Sequence, residues 1–475
     1  MESTLTRSGS SEKLLVRADE KLSLRLLDGA AFYGLIIITI LTAIPYGTVE
    51  PWSIAAFEIG TFFLGLLWIV HGFLSGSWRI PNLNLFYPLI ALALYAFLQS
   101  LSWRQAEVAG TKIQSAISAD PFESWLFGWR LSALTLAGIL AARFTATTSR
   151  LRLLVHLLVL VAVLSAIFGI IRQATQHEPG FLLPYLNSGG GFGQFINRNH
   201  FAFTVEAAMG LLLGVSLLGR GRREELLVYL SAILLLWVAL VMSRSRGGLL
   251  AVTVQAICAI SLLIESRVRS RARGPISWKK SAAAVALIVL VTLGTTIAGV
   301  AWLGGDQLTT GVETANIEMG QVNLRHEGTR RSDIWRASWR MARAHPLFGA
   351  GLGGFWAELP AYHDASGSQT PQQAHNDYLE LFASGGLIGA AILIWFVVIL
   401  YGRARSIFRE QTGFQRGAAM GAILSLVGIG VQSLVEFGLH VTLNALLLMI
   451  LLSILSLDRI DQLPQAQAHR SGAFN

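Results

Sequence analysis

One histidine and a set of arginines near the ends of apolar stretches are the residues of this chain best suited to chemistry. His375, in Ala374-His375-Asn376-Asp377-Tyr378-Leu379-Glu380, is a candidate general base, because imidazole titrates near neutral pH. Thr370-Pro371 just upstream has the form of a helix N-cap and first turn, which would set His375 early in a helix whose dipole favours the neutral ring. Arg244 and Arg246, in Ser243-Arg244-Ser245-Arg246-Gly247-Gly248, occupy a tight turn between two apolar stretches, and Arg325 and Arg331 lie just before and at the start of a helical segment. Guanidinium forks bind phosphate oxygens in pairs and stabilise charge developing on them. Arg198, Asn199 and His200 at the mouth of one apolar stretch, Asn376 beside the histidine, and Glu436 and His440 at a late turn complete the substrate-binding candidates. Several arginines and a histidine, without a clustered Asp/Glu/His metal set, suit a reaction whose leaving group is an anion such as diphosphate. No metal or other cofactor is then expected, and glycosyl transfer from a polyprenyl-diphosphate carrier has this form.

The elements that must position these residues are membrane helices. The 475 residues are 53% hydrophobic and 14% charged, too apolar for a soluble enzyme of this length. Stretches long enough to cross about 30 Å of hydrocarbon recur at roughly 29–47, 52–71, 84–101, 125–142, 151–171, 199–218, 226–242, 247–264, 281–303, 385–401, 417–435 and 439–456. The expected fold is therefore an all-α polytopic membrane protein of about twelve transmembrane helices with one large outer loop. It divides into an N-terminal tail 1–28, spans 29–303, the loop 304–384, spans 385–456 and a C-terminal tail 457–475. The polar first 28 residues lack a short apolar run before a small-residue cleavage site, so targeting is expected to rest on the spans themselves.

About two thirds of the 37 Lys and Arg residues fall on the side that holds both termini, which places the termini in the cytoplasm. The net charge of +9 is thus mostly topology, and no nucleic-acid partner is implied. The outer arginines oppose that bias and call for a ligand or for lipid headgroups. Cys258 is the single cysteine and lies in an apolar stretch, so disulfide and cysteine-based metal chemistry within one chain are excluded.

The outer loop is expected to contain an amphipathic helix through 331–343, with Trp335, Trp339 and Ala342 on one side and Arg336, Arg340 and Arg343 on another, suited to the membrane surface. Gly349-Ala350-Gly351-Leu352-Gly353-Gly354 matches G-x-G-x-x-G literally. It follows a helix rather than a strand and opens no βαβ unit, so it reads as a flexible or tightly turned connector and not as a dinucleotide site.

The order of features Asn-Arg-Asn-His-Phe-Ala at 197–202, Ser-Arg-Gly-Gly at 245–248, Arg331-x-x-x-Trp335, His345-Pro346-Leu-Phe-Gly-x-Gly-Leu-Gly, His375-Asn376-Asp-Tyr-Leu and Gly386-Leu-Ile-Gly389 resembles the O-antigen ligase and polymerase family. The resemblance implies a GT-C-like, metal-independent, inverting glycosyltransferase of the bacterial inner membrane, using an undecaprenyl-diphosphate-linked glycan, with a large periplasmic loop closing over the site. It implies a lipid A-core, glycan or protein acceptor, His375 as the base, and Arg246 and Arg331 as diphosphate contacts, with Arg325 less firmly anchored. Arg244 doubles the turn cation, and Glu436 stands where related sequences often carry Asp. A polymerase of the same family and an anion transporter remain as alternatives, the latter needing ionisable groups near the midplane, for which Arg130 and Glu206 are the candidates.

Overall fold

The computed structural model describes residues 5–76, 78, 81–108, 111–145, 147–188, 190–219, 223–271, 331–363 and 371–458. The helices are α1 (Leu5–Ala43), α2 (Pro51–Ser75), α3 (Tyr87–Ser100), α4 (Pro121–Phe144), α5 (Thr148–Thr175), α6 (Arg198–Leu218), α7 (Arg223–Ser243) and α8 (Arg246–Arg271). Then come α9 (Arg331–Ala344), the single turn α10 (Phe355–Glu358), α11 (Asp377–Glu410), α12 (Gly413–Gln432) and α13 (Thr442–Ser456). Local chemistry sets several starts. Asp120, Thr147, Asn197 and Asn376 each accept a backbone N–H of the turn they open, and proline occupies the first turn of α2, α3 and α4.

Among the described residues nine helices are long and apolar enough to span a bilayer, and α3 and α13 are shorter apolar helices. This fits a polytopic membrane protein; the expected span 281–303 lies outside the described residues. The all-α expectation needs one amendment. Residues 102–116, expected as a helix-to-helix connector, form an antiparallel hairpin of β1 (Ser102–Val108) and β2 (Thr111–Ala116). Its strands carry Trp, Val, Thr and Ile around Ala109-Gly110 in sequence, a composition that favours extended pairing once a short turn is available.

The core is organised on α6 and α12, which approach almost backbone to backbone. A Cβ on Gly214 would lie 2.2 Å from the Gly421 nitrogen, and one on Gly210 would lie 2.4 Å from the Ser425 nitrogen. Gly210 and Gly214 on one helix, and Gly417 and Gly421 on the other, form small-x-x-x-small stripes that admit this approach. Gly214→Val is expected to lower the stability of the detergent-solubilised protein by about 1–3 kcal/mol through overpacking, read as a drop in thermal melting midpoint. An unchanged midpoint would show that the helices separate without cost.

Helix length decides where the functional region sits. At about 1.5 Å per residue, α3 and α13 reach only about 21–23 Å, short of a hydrocarbon core of about 30 Å. One end of α13 is pinned: Arg403 donates to the carbonyls of Leu455 and Leu457, and Gln415 donates to that of Asp458. The opposite end joins α12 to α13 through the segment 433–441, irregular apart from a 3-10 turn at Gly438–His440. Irregular backbone packed among helices requires internal partners. Asn444 supplies two by donating to the carbonyls of His200 and Gly438. Gln432, at the last residue of α12, similarly donates to the carbonyl of Asn199.

α11 begins at Asp377, earlier than the expected 385, and breaks at Gly386 (φ 60°, ψ −155°). The break is filled by the segment after α9: the N–H groups of Leu387 and Ile388 donate to the carbonyls of Pro346 and Leu347. The glycine-rich run 349–354 continues this docking. Tyr95 Oη and Gln99 Nε2 donate to the Phe348 carbonyl, Leu352 N donates to Gln99 Oε1, and Gly353 N donates to Ser124 Oγ. Gly351 (φ 102°) lies against Ser118, where any side chain would collide. The run is thus a tightly turned strap against α3, α4 and α11, and it opens no βαβ unit.

Candidate active site

The site is built around Glu436, whose side chain is only 2% exposed. The 433–441 segment carries it to the start of α6, where Asn199 Nδ2 donates to its Oε1 at 2.6 Å. The Asn199 carbonyl oxygen Oδ1 accepts from Ser245 Oγ at 2.8 Å, so Asn199 joins Glu436 to the turn before α8. Arg331, the first residue of α9, forms an ion pair with the same carboxylate oxygen. The other oxygen, Oε2, faces His375 Nδ1 across 3.5 Å, and neither atom makes a hydrogen bond among the described residues. Three distant parts of the sequence, 199, 331 and 375, thus meet on one buried carboxylate.

His375 is placed differently from the sequence expectation. The helix starts after it: Asn376 is the N-cap, its side chain accepting from Leu379 N at 3.0 Å, and His375 stands outside at φ 51°. Asn376 wins as the cap because its carbonyl oxygen reaches the third amide of the turn, the geometry that a capping side chain requires. Thr370, the expected cap, lies outside the described residues. A non-glycine residue in the left-handed region is held there by its neighbours. The Ala374 carbonyl accepts from Trp335 Nε1, Ala374 N donates to Glu380 Oε2 at 2.7 Å, Asp377 N donates to the Ser433 carbonyl, and Ser433 Oγ donates to Asp377 Oδ2. These bonds fasten the histidine between α9 and the 433–441 segment.

Phe437 completes the pocket. Its ring meets His200, His375 and His440 edge to face, at centroid distances of 4.9, 4.6 and 6.0 Å. His440 Nε2 also contacts Glu380 Oε1 at 3.0 Å. Burial of the ring opposes its protonation, but the Glu380 charge and hydrogen bond, with the nearby Asp377, outweigh burial and raise the His440 pKa to about 9.

The other sequence candidates divide. Arg244 and Arg246 are exposed and flank Ser245, which places both beside the Asn199–Glu436 link. A Cβ on Gly247 would lie within 3.3 Å of Val435, so this turn packs directly on the segment that bears Glu436. Arg198 is exposed at the first residue of α6 and makes no bond to the Glu436 cluster. Arg325 lies outside the described residues. Asn199 and Asn376 have structural engagements, one as a bridge and one as a cap, and Glu436 is an interior hub rather than an outward group.

The expectation for the loop helix needs correction, and one arginine of the connector after α5 is accounted for by the fold. Arg172 requires no ligand: 3% exposed, it donates to the carbonyls of Asn187, Gly193 and Phe195 and so ties down the connector after α5. In α9 the tryptophan side does not form the buried stripe. Ile334, Ala337, Ser338, Met341 and Ala342 are buried, while Trp339 is half exposed and Trp335 is spent on its bond to Ala374. The i, i+3, i+4, i+7 spacing from Ile334 packs against Ala350, Phe355 and Ala374, and that contact fixes the helix orientation.

Sequence reasoning passed over Ser245, Asp377 and Glu380, whose types are ordinary near helix ends. A glutamate three residues into a helix that follows a histidine is a weak signal, and its partner His440 is 60 positions away, visible only once the chain has folded. Chemically the cluster combines an imidazole oriented by a carboxylate, a half-exposed guanidinium, two further exposed arginines and a protonated imidazole. That set can take a proton and hold a polyanion. No curated protein matches the chain. Residues 230–394, from α7 through the first half of α11, match the family model described as O-Antigen ligase.

Proposed function

We propose that this protein is an O-antigen ligase-like glycosyltransferase that moves a glycan from an undecaprenyl-diphosphate carrier to an acceptor hydroxyl at the periplasmic face of the bacterial inner membrane. The observation that carries the reading is the meeting of Arg331 and His375 on Glu436, beside the Arg244–Arg246 turn and at the starts of α6, α8 and α11. In this mechanism Glu436 orients His375 through Nδ1, leaving Nε2 to take the proton from the acceptor hydroxyl. The acceptor oxygen attacks the anomeric carbon from the face opposite the diphosphate, so the configuration inverts. The anomeric C–O bond breaks, its electrons pass to the diphosphate oxygen, and Arg331 and Arg246 stabilise the departing charge. No metal enters these steps. A site at the helix ends suits a donor whose phosphates sit at the headgroup level while its polyprenyl tail stays between helices.

Cells lacking this gene, with all donor synthesis intact, are the direct test. They are expected to accumulate undecaprenyl-diphosphate-linked glycan and to lose the glycosylated acceptor, and both effects are reversed by the wild-type chain. Unchanged surface glycan with no accumulated donor would sink the proposal. A polymerase of the same family would use the same donor chemistry; the length of the product, one transferred block against a growing chain, separates the two.

A further inference from the structure

We propose that His440, held by Glu380, is a second anion-contacting group of this cleft: an imidazolium whose Nδ1–H donates to a phosphate oxygen of the bound substrate, separately from Arg331. The inference rests on the phosphate-donor reading above and assigns a residue pair that lies partly beyond the matched segment 230–394. Arg331 has its charge committed in part to Glu436, whereas the His440–Glu380 pair leaves one ring nitrogen over. Nε2 is taken by Glu380 Oε1 at 3.0 Å, and the His440 side chain keeps 37% of its surface accessible. Nδ1 has no hydrogen-bond partner among the described residues, and the ring shares Phe437 with His375, the proposed base.

Glu380 is itself well placed to hold a charged imidazole. It is 9% exposed, and its second oxygen is fixed by Ala374 N at 2.7 Å, so the carboxylate cannot turn away from the ring. The charged and titratable groups acting on His440 are Glu380 and Asp377 on α11 and Arg130 on α4, and His440 in turn acts on His200 of α6. The charge and hydrogen bond of Glu380 outweigh burial and keep the imidazolium at neutral pH. The same Ala374 bond places the residue before His375. Glu380 is therefore a positioning residue for both imidazoles, and His440 is the one argued to touch substrate.

A purely structural clasp between α11 and the 433–441 segment would predict parallel pH profiles of anion binding in wild type and variants, set by ionisation of the phosphate alone. The test measures binding of undecaprenyl diphosphate and of inorganic diphosphate to the purified full-length protein, wild type, Glu380→Gln and His440→Gln, between pH 6 and 9.5. Glu380→Gln keeps an acceptor for Ala374 N but removes the charge that raises His440. Its affinity is expected to lie about tenfold below wild type at pH 8, while wild-type affinity holds until pH approaches the His440 pKa of about 9. His440→Gln is expected to bind about tenfold more weakly at pH 7 and to keep only the pH dependence of the phosphate itself. A Glu380→Gln profile parallel to wild type, or unchanged affinity in His440→Gln, overturns the assignment. Wild-type binding of undecaprenyl diphosphate together with either of those results leaves the donor reading standing and removes His440 from it. The predicted profile with inorganic diphosphate, and no binding of the lipid, supports the anion site and sinks the lipid-linked donor. Failure of wild type to bind either compound overturns both.

Discussion

His375→Ala is expected to lower glycan transfer by about 10²–10⁴-fold, the range that a positioned general base contributes. Donor binding should change little, because the phosphates are assigned to arginines and not to His375. The loss should therefore appear in turnover rather than in the apparent affinity for donor. His375→Gln should be nearly as impaired: it keeps a polar side chain at the φ 51° position but cannot take up the acceptor proton. Reconstituted enzyme with purified lipid-linked donor gives the measurement, with thermal melting run in parallel to confirm folding. Transfer within about threefold of wild type in a folded His375→Ala protein would remove the histidine from the mechanism; the range above requires at least about 10².

Glu436→Ala is expected to be as damaging for a different reason. One carboxylate gathers Asn199, Arg331 and His375, so its loss frees His375, α9 and the start of α6 at once. A buried acceptor removed from its donors leaves those donors unsatisfied, at about 1–3 kcal/mol for each such group. The Arg331 share is smaller than for a sealed pair, because Arg331 is 48% exposed and water screens it. A fall in turnover of at least about 10² together with a lower melting midpoint is the expected result. The double variant Glu436→Ala with Arg331→Ala should cost less than the sum of the two single changes, by about 0.5–3 kcal/mol. Strict additivity would show that the two side chains act independently and that the ion pair does not organise the site.

The membrane class was open to sequence reasoning because the bilayer imposes its own rule. A chain with apolar stretches of about 20 residues has few ways to satisfy its backbone other than helices. The expected stretches at 29–47 and 417–435, for example, coincide with most of the apolar part of α1 and with α12. The hairpin at 102–116 escaped because its strands are short and polar, and pairing across a turn leaves a weaker mark than helical hydrophobicity. The early start of α11 escaped because Asp377 and Glu380 lower the local hydropathy, although Asn376 caps that helix well.

For the site, residue type and neighbourhood were enough to single out His375, Arg331, the Arg244–Arg246 turn, Glu436 and His440, since ionisable groups at the edge of a membrane helix are costly to keep without a purpose. A sequence does not show which carbonyls a guanidinium will reach, as Arg172 illustrates. The sequence by itself determined the helices, their apolar character and the inventory of reactive side chains, all of which depend on short-range pattern. The tertiary structure alone decided that Glu436 is the hub, that Glu380 belongs to His440 across 60 positions, and that His375 sits outside its helix in a strained turn. Those outcomes follow from the close approach of α6 and α12 and from the bonds of Gln432 and Asn444 that hold the 433–441 segment against the start of α6.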